Sequence, residues 1–289
     1  MSTSAYPSRL PSLFVSHGSP MIALETTPAA FFLDRLGPAI ERLWGRPRAV
    51  LMCSPHSPAR QPLVLGAARH SAIHDFGGFP AELYQLRYDA LGEPLVAQEA
   101  AELIKAAGLG GWVTETSGLD HGLWTVLRRM WPDAGVPVVP LALVPSRSPA
   151  EQWALGAALA PLAEQGVLII GSGAATHHLG RYPWGRDASQ EPVAPDVRAW
   201  QDWIAARVQE RDWPALLDYR RRAPEAALQH PTDEHWLPFY IAAGAGSAGR
   251  VAGSEIVGQR LHASVDAGVL AMDAYAFGAG AAELAKELA

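Results

Sequence analysis

Three short apolar runs in this sequence end in the same way, and that repetition constrains the fold more than any other feature. Leu13-Phe14-Val15 breaks into Ser16-His17-Gly18-Ser19-Pro20. Ala49-Val50-Leu51-Met52-Cys53 breaks into Ser54-Pro55-His56-Ser57-Pro58. Val167-Leu168-Ile169-Ile170 breaks into Gly171-Ser172-Gly173-Ala174-Ala175-Thr176-His177-His178. Short apolar runs closed by Gly, Ser and Pro read as buried strands entering loops. Segments with apolar residues at helical spacing lie between and after them, at residues 29–43, 94–107, 151–163 and 196–211. Strands alternating with helices predict an α/β fold, a single domain with a mostly parallel central sheet flanked by helices. Further strands are expected at 112–116 and 136–143, and a hairpin over 259–277 turning near Asp266-Ala267-Gly268. Residues 70–88 are rich in Gly and aromatics and read as one long ordered loop, a type of segment that often carries function.

Composition narrows the function classes. The 289 residues are 49% hydrophobic, enough to bury a large core and too apolar for a disordered chain. No repeat, low-complexity tract or linker divides them, so one domain over 1–289 is the simplest organisation. The net charge of -6 argues against a nucleic-acid surface. The single cysteine, Cys53, excludes a disulfide scaffold and a thiolate zinc cluster. At mid-strand it reads as a small buried apolar group. No apolar run nears the roughly 20 residues that span a bilayer. The first ten residues lack the basic segment and apolar core of a signal peptide. The expectation is a cytoplasmic protein with neither nucleic-acid nor membrane partners.

The histidines carry the chemical signal. In open α/β sheets the loops at the carboxyl ends of the strands gather into one crevice. His17, His56 and His177 are therefore expected to meet there. Neutral imidazole is a good ligand for Zn, Fe, Ni and Cu and keeps one ring nitrogen for a second partner. His235 closes the segment His230-Pro231-Thr232-Asp233-Glu234-His235. It falls in the first turn of an apolar helix expected at 236–243, with Thr232 as candidate cap, and is near enough to complete a set. Asp120 is the candidate cap of a helix running through 127–130. His177 and His178 are adjacent, so at most one should face the site. His70 and His262 read as ordinary residues, and His230 either as a turn residue or as a partner behind the site. Ser16, Ser54 and Ser172 lie outside the Gly-x-Ser-x-Gly elbow of a serine hydrolase. Gly171-Ser172-Gly173 lacks the third glycine and the lysine of a nucleotide loop. Most of the tryptophans sit at helical spacing and read as core.

Six segments occur in a telling order: Ser16-His17-Gly18-Ser19-Pro20; Ser54-Pro55-His56; His74-Asp75-Phe76-Gly77-Gly78-Phe79-Pro80; Gly118-Leu119-Asp120-His121-Gly122; Gly171-Ser172-Gly173 through His177; and His230 through His235. On these the chain resembles the 4,5-DOPA extradiol dioxygenase family, a branch of the class III (LigB-type) ring-cleaving dioxygenases, over about residues 13–278. The resemblance implies a phosphorylase/hydrolase-like fold and extradiol cleavage of a DOPA-like catechol by O2 at a mononuclear non-haem metal. It implies His17, His56 and His235 as metal ligands, the last where the wider superfamily has Glu. It implies His177 as the acid/base histidine and His121 as a further histidine facing the substrate. Fe(II) is the implied active metal, with Zn(II) able to replace it in purified protein. The implied partners are a small aromatic diol and dioxygen, and the expected assembly is a monomer or small homo-oligomer. A three-His set is also that of hydrolytic zinc sites, which keeps a zinc-dependent hydrolase as the alternative.

Overall fold

The computed structural model describes residues 9–185, 188, 190–247 and 256–289. In chain order its strands are β1 (Ser12–Ser16), β2 (Ala49–Pro58), β3 (Leu63–Leu65), β4 (Arg69–Ser71), β5 (Asp89–Leu91), β6 (Trp112–Thr114), β7 (Val138–Leu143), β8 (Val167–Gly173), β9 (Gly258–His262), β10 (Val265–Asp266), β11 (Leu270–Ala271) and β12 (Ala274–Phe277). Eight of them form the main sheet in the order β6-β3-β7-β2-β8-β1-β12-β9. The apolar runs make its parallel centre: β7, β2, β8 and β1 run in one direction. β12 and β9 close one edge antiparallel, and β3 with β6 closes the other.

Continuous apolar strands are required here because both faces of the sheet are covered. Side chains alternate between two cores. Leu13, Val15, Val50, Met52, Leu168 and Ile170 enter one, packed against the helices Pro28–Trp44, His121–Met130 and Ala281–Leu288. Phe14, Leu51, Cys53, Val167 and Ile169 enter the other, against the helices Pro94–Ala106, Pro149–Leu159, Pro195–Glu210 and Leu237–Gly246. Cys53 is buried as expected. No described helix is long and apolar enough to cross a membrane.

Several local expectations are corrected. Residues 70–88 are not one loop: β4 and β5 pair antiparallel around them, and Ala81–Gln85 forms a short helix. β2 continues past Cys53 through His56 to Pro58, with a register shift after Ser54. Asp120 occupies the N-cap position of helix His121–Met130, yet its side chain makes no cap bond. It accepts instead from Ser57 Oγ at 2.5 Å. Thr232 caps nothing either; its hydroxyl donates to Glu234 Oε1 at 2.9 Å, and the last of these helices starts at Leu237, two residues beyond His235. The hairpin over 259–277 forms, with a smaller one, β10–β11, at its tip. Ala267 and Gly268 both have positive φ, 51° and 72°, the pairing that suits the tight turn joining two twisted strands.

Two helices of the second core touch backbone to backbone. A Cβ on Gly156 would lie 2.0 Å from the Ile241 carbonyl oxygen, and one on Gly244 would lie 2.1 Å from that of Trp153. Neither oxygen can swing aside as a side chain would. Gly244→Ala is therefore expected to destabilise by about 1–3 kcal/mol through overpacking, outweighing alanine's helix-propensity advantage of about 1 kcal/mol. The urea midpoint checks this, and a midpoint at or above wild type would contradict the close approach.

Candidate metal centre

β2, β8 and β1 are adjacent and parallel, so their carboxyl ends open on one crevice. His17 leaves the end of β1, and its amide donates to the Gly173 carbonyl at 2.9 Å. His56 lies on the outer stretch of β2. The turn carrying His235 is drawn in by a bond from the Ala174 amide to the His235 carbonyl, 2.9 Å. Gly173 permits this approach, since a Cβ there would sit 2.2 Å from the His235 carbonyl oxygen.

The ring nitrogens converge. His17 Nε2 is 3.2 Å from His56 Nε2, and His56 Nε2 is 3.3 Å from His235 Nε2. The other ring nitrogens fix two of the tautomers. Ser172 Oγ donates its only hydrogen to the Gly122 carbonyl at 2.6 Å, so at 2.9 Å from His17 Nδ1 it accepts. His17 therefore carries hydrogen on Nδ1 and a bare lone pair on Nε2. His235 Nδ1 faces Glu234 Oε1 at 3.2 Å, which fixes the same tautomer. His56 Nε2 has at most one hydrogen and cannot satisfy both neighbours. Donors about 2.0–2.1 Å from one ion lie about 2.8–3.0 Å apart in an octahedral set and about 3.3–3.4 Å apart in a tetrahedral one, and the spacings found, 3.2 and 3.3 Å, fall within that span.

Two further histidines border this cluster. His121 is the first residue of its helix, its ring centroid 3.9 Å from that of His56. Its donor atom lies within 4.8 Å of those of His17 and His56. His177 lies flat on His235, with centroids 3.3 Å apart and planes 10° from parallel. Its donor atom falls within 4.8 Å of those of His235 and Glu234. His178 points away, with Nδ1 2.9 Å from the Leu228 carbonyl. His230 is fully buried rather than a simple turn residue; its Nε2 bonds the Ala175 carbonyl at 2.9 Å beneath the His177 loop. His262 stacks on Phe32, away from the cluster. His70 is buried, its Nδ1 accepting from the Gly118 amide at 3.3 Å.

Burial keeps these rings neutral. It pushes His17 and His235 well below the ordinary histidine value, helped by the neighbouring imidazoles. It pushes His56 down to about 3 and His177 to about 4. Asp75, raised by burial, is brought below the usual carboxylate range by hydrogen bonds from His121. A cavity of about 200 Å³ opens over the five histidines, walled by Phe76, Phe79, Leu179, Tyr182, Trp184 and Leu270. Ser172, which fits neither a serine-hydrolase elbow nor a nucleotide loop in the sequence, is the anchor of His17. Asp75 was visible only as part of a segment. The glycine-bounded position of Ser172 at the end of β8 was the one available signal for its role.

Residues 11–270 match the family described as the catalytic LigB subunit of aromatic ring-opening dioxygenase. The chain belongs to the LigB family. It is 35% identical over 269 residues to the 4,5-DOPA dioxygenase extradiol of Beta vulgaris, covering 92% of this chain and 96% of that one. It is 35% identical over 241 residues to the 4,5-DOPA dioxygenase extradiol of Escherichia coli (strain K12), covering 82% and 85%. A crystal structure of an uncharacterized protein from Escherichia coli K12 superposes with a TM-score of 0.74 at 27% identity, covering 93% of this chain and all of that one. LigB-type dioxygenases work at a non-haem metal, and the histidine groups here offer one a place.

The depressed histidines make a sign-definite prediction for the metal-free protein. Their folded values lie below the unfolded value near 6.5, so between the two the unfolded chain binds protons that the folded chain refuses. Stability is complete above about pH 6.5 and is lost as pH falls toward 4. The loss should exceed the roughly 1.4 kcal/mol per pH unit of a single histidine. Urea midpoints after chelator treatment test it, and a flat profile between pH 7 and 5 would contradict neutral burial.

Proposed function

We propose that this LigB protein is an extradiol dioxygenase that opens a catechol-type, DOPA-like ring with O2 at mononuclear iron, held by Nε2 of His17, His56 and His235. The observation that supports this most is the spacing of three lone-pair nitrogens at 3.2 and 3.3 Å, with too few hydrogens among them to satisfy one another. His121, whose Nδ1 is held by Asp75, is assigned here to face the substrate and not to hold the metal. Fe(II) is the proposed working metal, and Zn(II) suits the same imidazoles in purified protein. When bound, the iron supplies a Lewis acid for the diol oxygens and an electron path to dioxygen.

The protein's own groups do the rest. Phe76 and Phe79 stand edge-on to one another, centroids 5.4 Å apart, and give an aromatic ring an apolar wall. A cavity of about 200 Å³ is small beside the few hundred Å³ of drug-sized sites and suits a single-ring diol. Leu179, Tyr182 and Trp184 line the same cavity and restrict water around the reacting ring. His177, neutral and stacked on His235, is placed to take a proton from a substrate hydroxyl and to return it later. His121, beside His56 in the same cavity, is the second group able to do so. The proposed setting is the cytoplasm, where a free buried Cys53 stays reduced.

A zinc-dependent hydrolase is the second reading, favoured by the three imidazoles at the ligand positions. Reconstitution of chelator-stripped protein separates the two. Fe(II)-loaded protein should take up oxygen with a catechol and form a yellow ring-cleaved product. Ester or amide hydrolysis by the zinc form, with no oxygen uptake by the iron form, would favour the hydrolase. His177→Ala should lower turnover by at least about 10²-fold while binding one metal ion per chain as wild type does. Loss of the metal in that variant would contradict the assignment of His177.

A further inference from the structure

The helix His121–Met130 begins at a histidine that faces the cavity, and its first turn is not capped by the residue in the capping position. Asp75 supplies the missing acceptor from 46 residues away. Its Oδ1 accepts from the His121 backbone amide at 2.9 Å and from His121 Nδ1 at 3.1 Å. One carboxylate oxygen thus holds both the backbone and the ring of the same residue. The segment that delivers it is pinned on both sides. The Ile73 amide donates to the Leu119 carbonyl at 2.8 Å, and Trp124 Nε1 donates to the Ile73 carbonyl at 3.0 Å. The next residue, Phe76, lies edge-on to the His121 ring, with centroids 5.7 Å apart.

We infer that Asp75 is a positioning residue for the reaction: it locks His121 in the Nδ1–H form and aims the Nε2 lone pair into the cavity, in register with the aromatic wall. This rests on the dioxygenase reading for the reaction itself, though not for the geometry. The contrast with His177 sharpens it. His177 is held by a ring stack alone, with no ring hydrogen bond among the described residues. His121 is held by a hydrogen bond that decides which nitrogen carries the hydrogen. A carboxylate bonded to one nitrogen of an imidazole sets both its tautomer and its orientation. The two histidines lining the cavity are therefore not held in the same way: a ring stack orients His177, and a hydrogen bond fixes both the orientation and the tautomer of His121.

A purely structural Asp75 would be a helix cap supplied by a distant residue. Melting temperature cannot distinguish the readings, because Asp75→Ala removes the cap in both. Two other measurements can. In zinc-loaded protein, long-range nitrogen–proton NMR correlations report the ring tautomer, with His121 assigned through His121→Gln. Asp75→Ala should shift the His121 pattern away from pure Nδ1–H, and Asp75→Asn, whose amide oxygen still accepts, should restore it. In iron-loaded protein, Asp75→Ala should lower kcat by about 10- to 100-fold, as loss of an orienting partner does, with KM and metal stoichiometry within about twofold. Asp75→Asn should recover most of that loss. An unchanged tautomer in Asp75→Ala, or an unchanged kcat per folded molecule, would overturn the inference. A wild-type protein that consumes no oxygen with any catechol would instead overturn the dioxygenase reading, and the NMR measurement would still judge Asp75.

Discussion

Three imidazole nitrogens within 3.3 Å of their neighbours, two of them on buried rings, are an unfavourable arrangement unless something besides hydrogen joins them. Two have their hydrogens committed to the far side of the ring, to Ser172 and to Glu234, and the third has at most one to share. Lone pairs held apart from water at that distance repel, and an unsatisfied buried polar atom costs about 1–3 kcal/mol. The surrounding structure is organised to keep them there. β1, β2 and β8 deliver two of the rings from adjacent parallel strands, and Gly173 lets the turn bearing His235 lie directly on the sheet.

A cation held by three neutral imidazoles keeps its whole charge, unlike one in the two-His, one-carboxylate arrangement usual for non-haem oxygenases. Here the negative charge stands one residue further out. Glu234 lies behind His235, and Asp75 lies behind His121. Carboxylates on the outer nitrogens make imidazoles more basic and fix their direction. Asp120, buried between Ser57 and the start of the His121 helix, is pushed upward by that burial, toward its neutral form. With His235 as the proposed third ligand, the carboxylates stand behind the imidazoles and not on the ion.

The parallel heart of the sheet was legible because both of its faces are covered, which makes β1, β2, β7 and β8 continuous apolar runs. The convergence of His17, His56 and His177 was legible for the same reason, since strand ends share one crevice. The partners of those histidines were not legible. Asp75 reaches His121 across 46 residues, Ser172 reaches His17 across 155, and no local pattern encodes either pairing. Asp120 does not cap: Ser57 donates to its Oδ2, and the His121 amide at the helix start goes to Asp75 Oδ1 instead. The long loop expected at 70–88 is interrupted by Ala81–Gln85, a helix of five residues, too short for helical spacing to stand out. His230 was undervalued because its role is to support the Ala175 carbonyl, a tertiary contact to a residue 55 positions earlier.

Anomalous diffraction from crystals of the iron- or zinc-loaded protein tests the central claim most directly. The account requires one ion, with Nε2 of His17, His56 and His235 each at about 2.0–2.2 Å, and with His121 and His177 beside it but unbound. An ion ligated by His121 in place of His235, or one seated between His177 and Glu234, would contradict it.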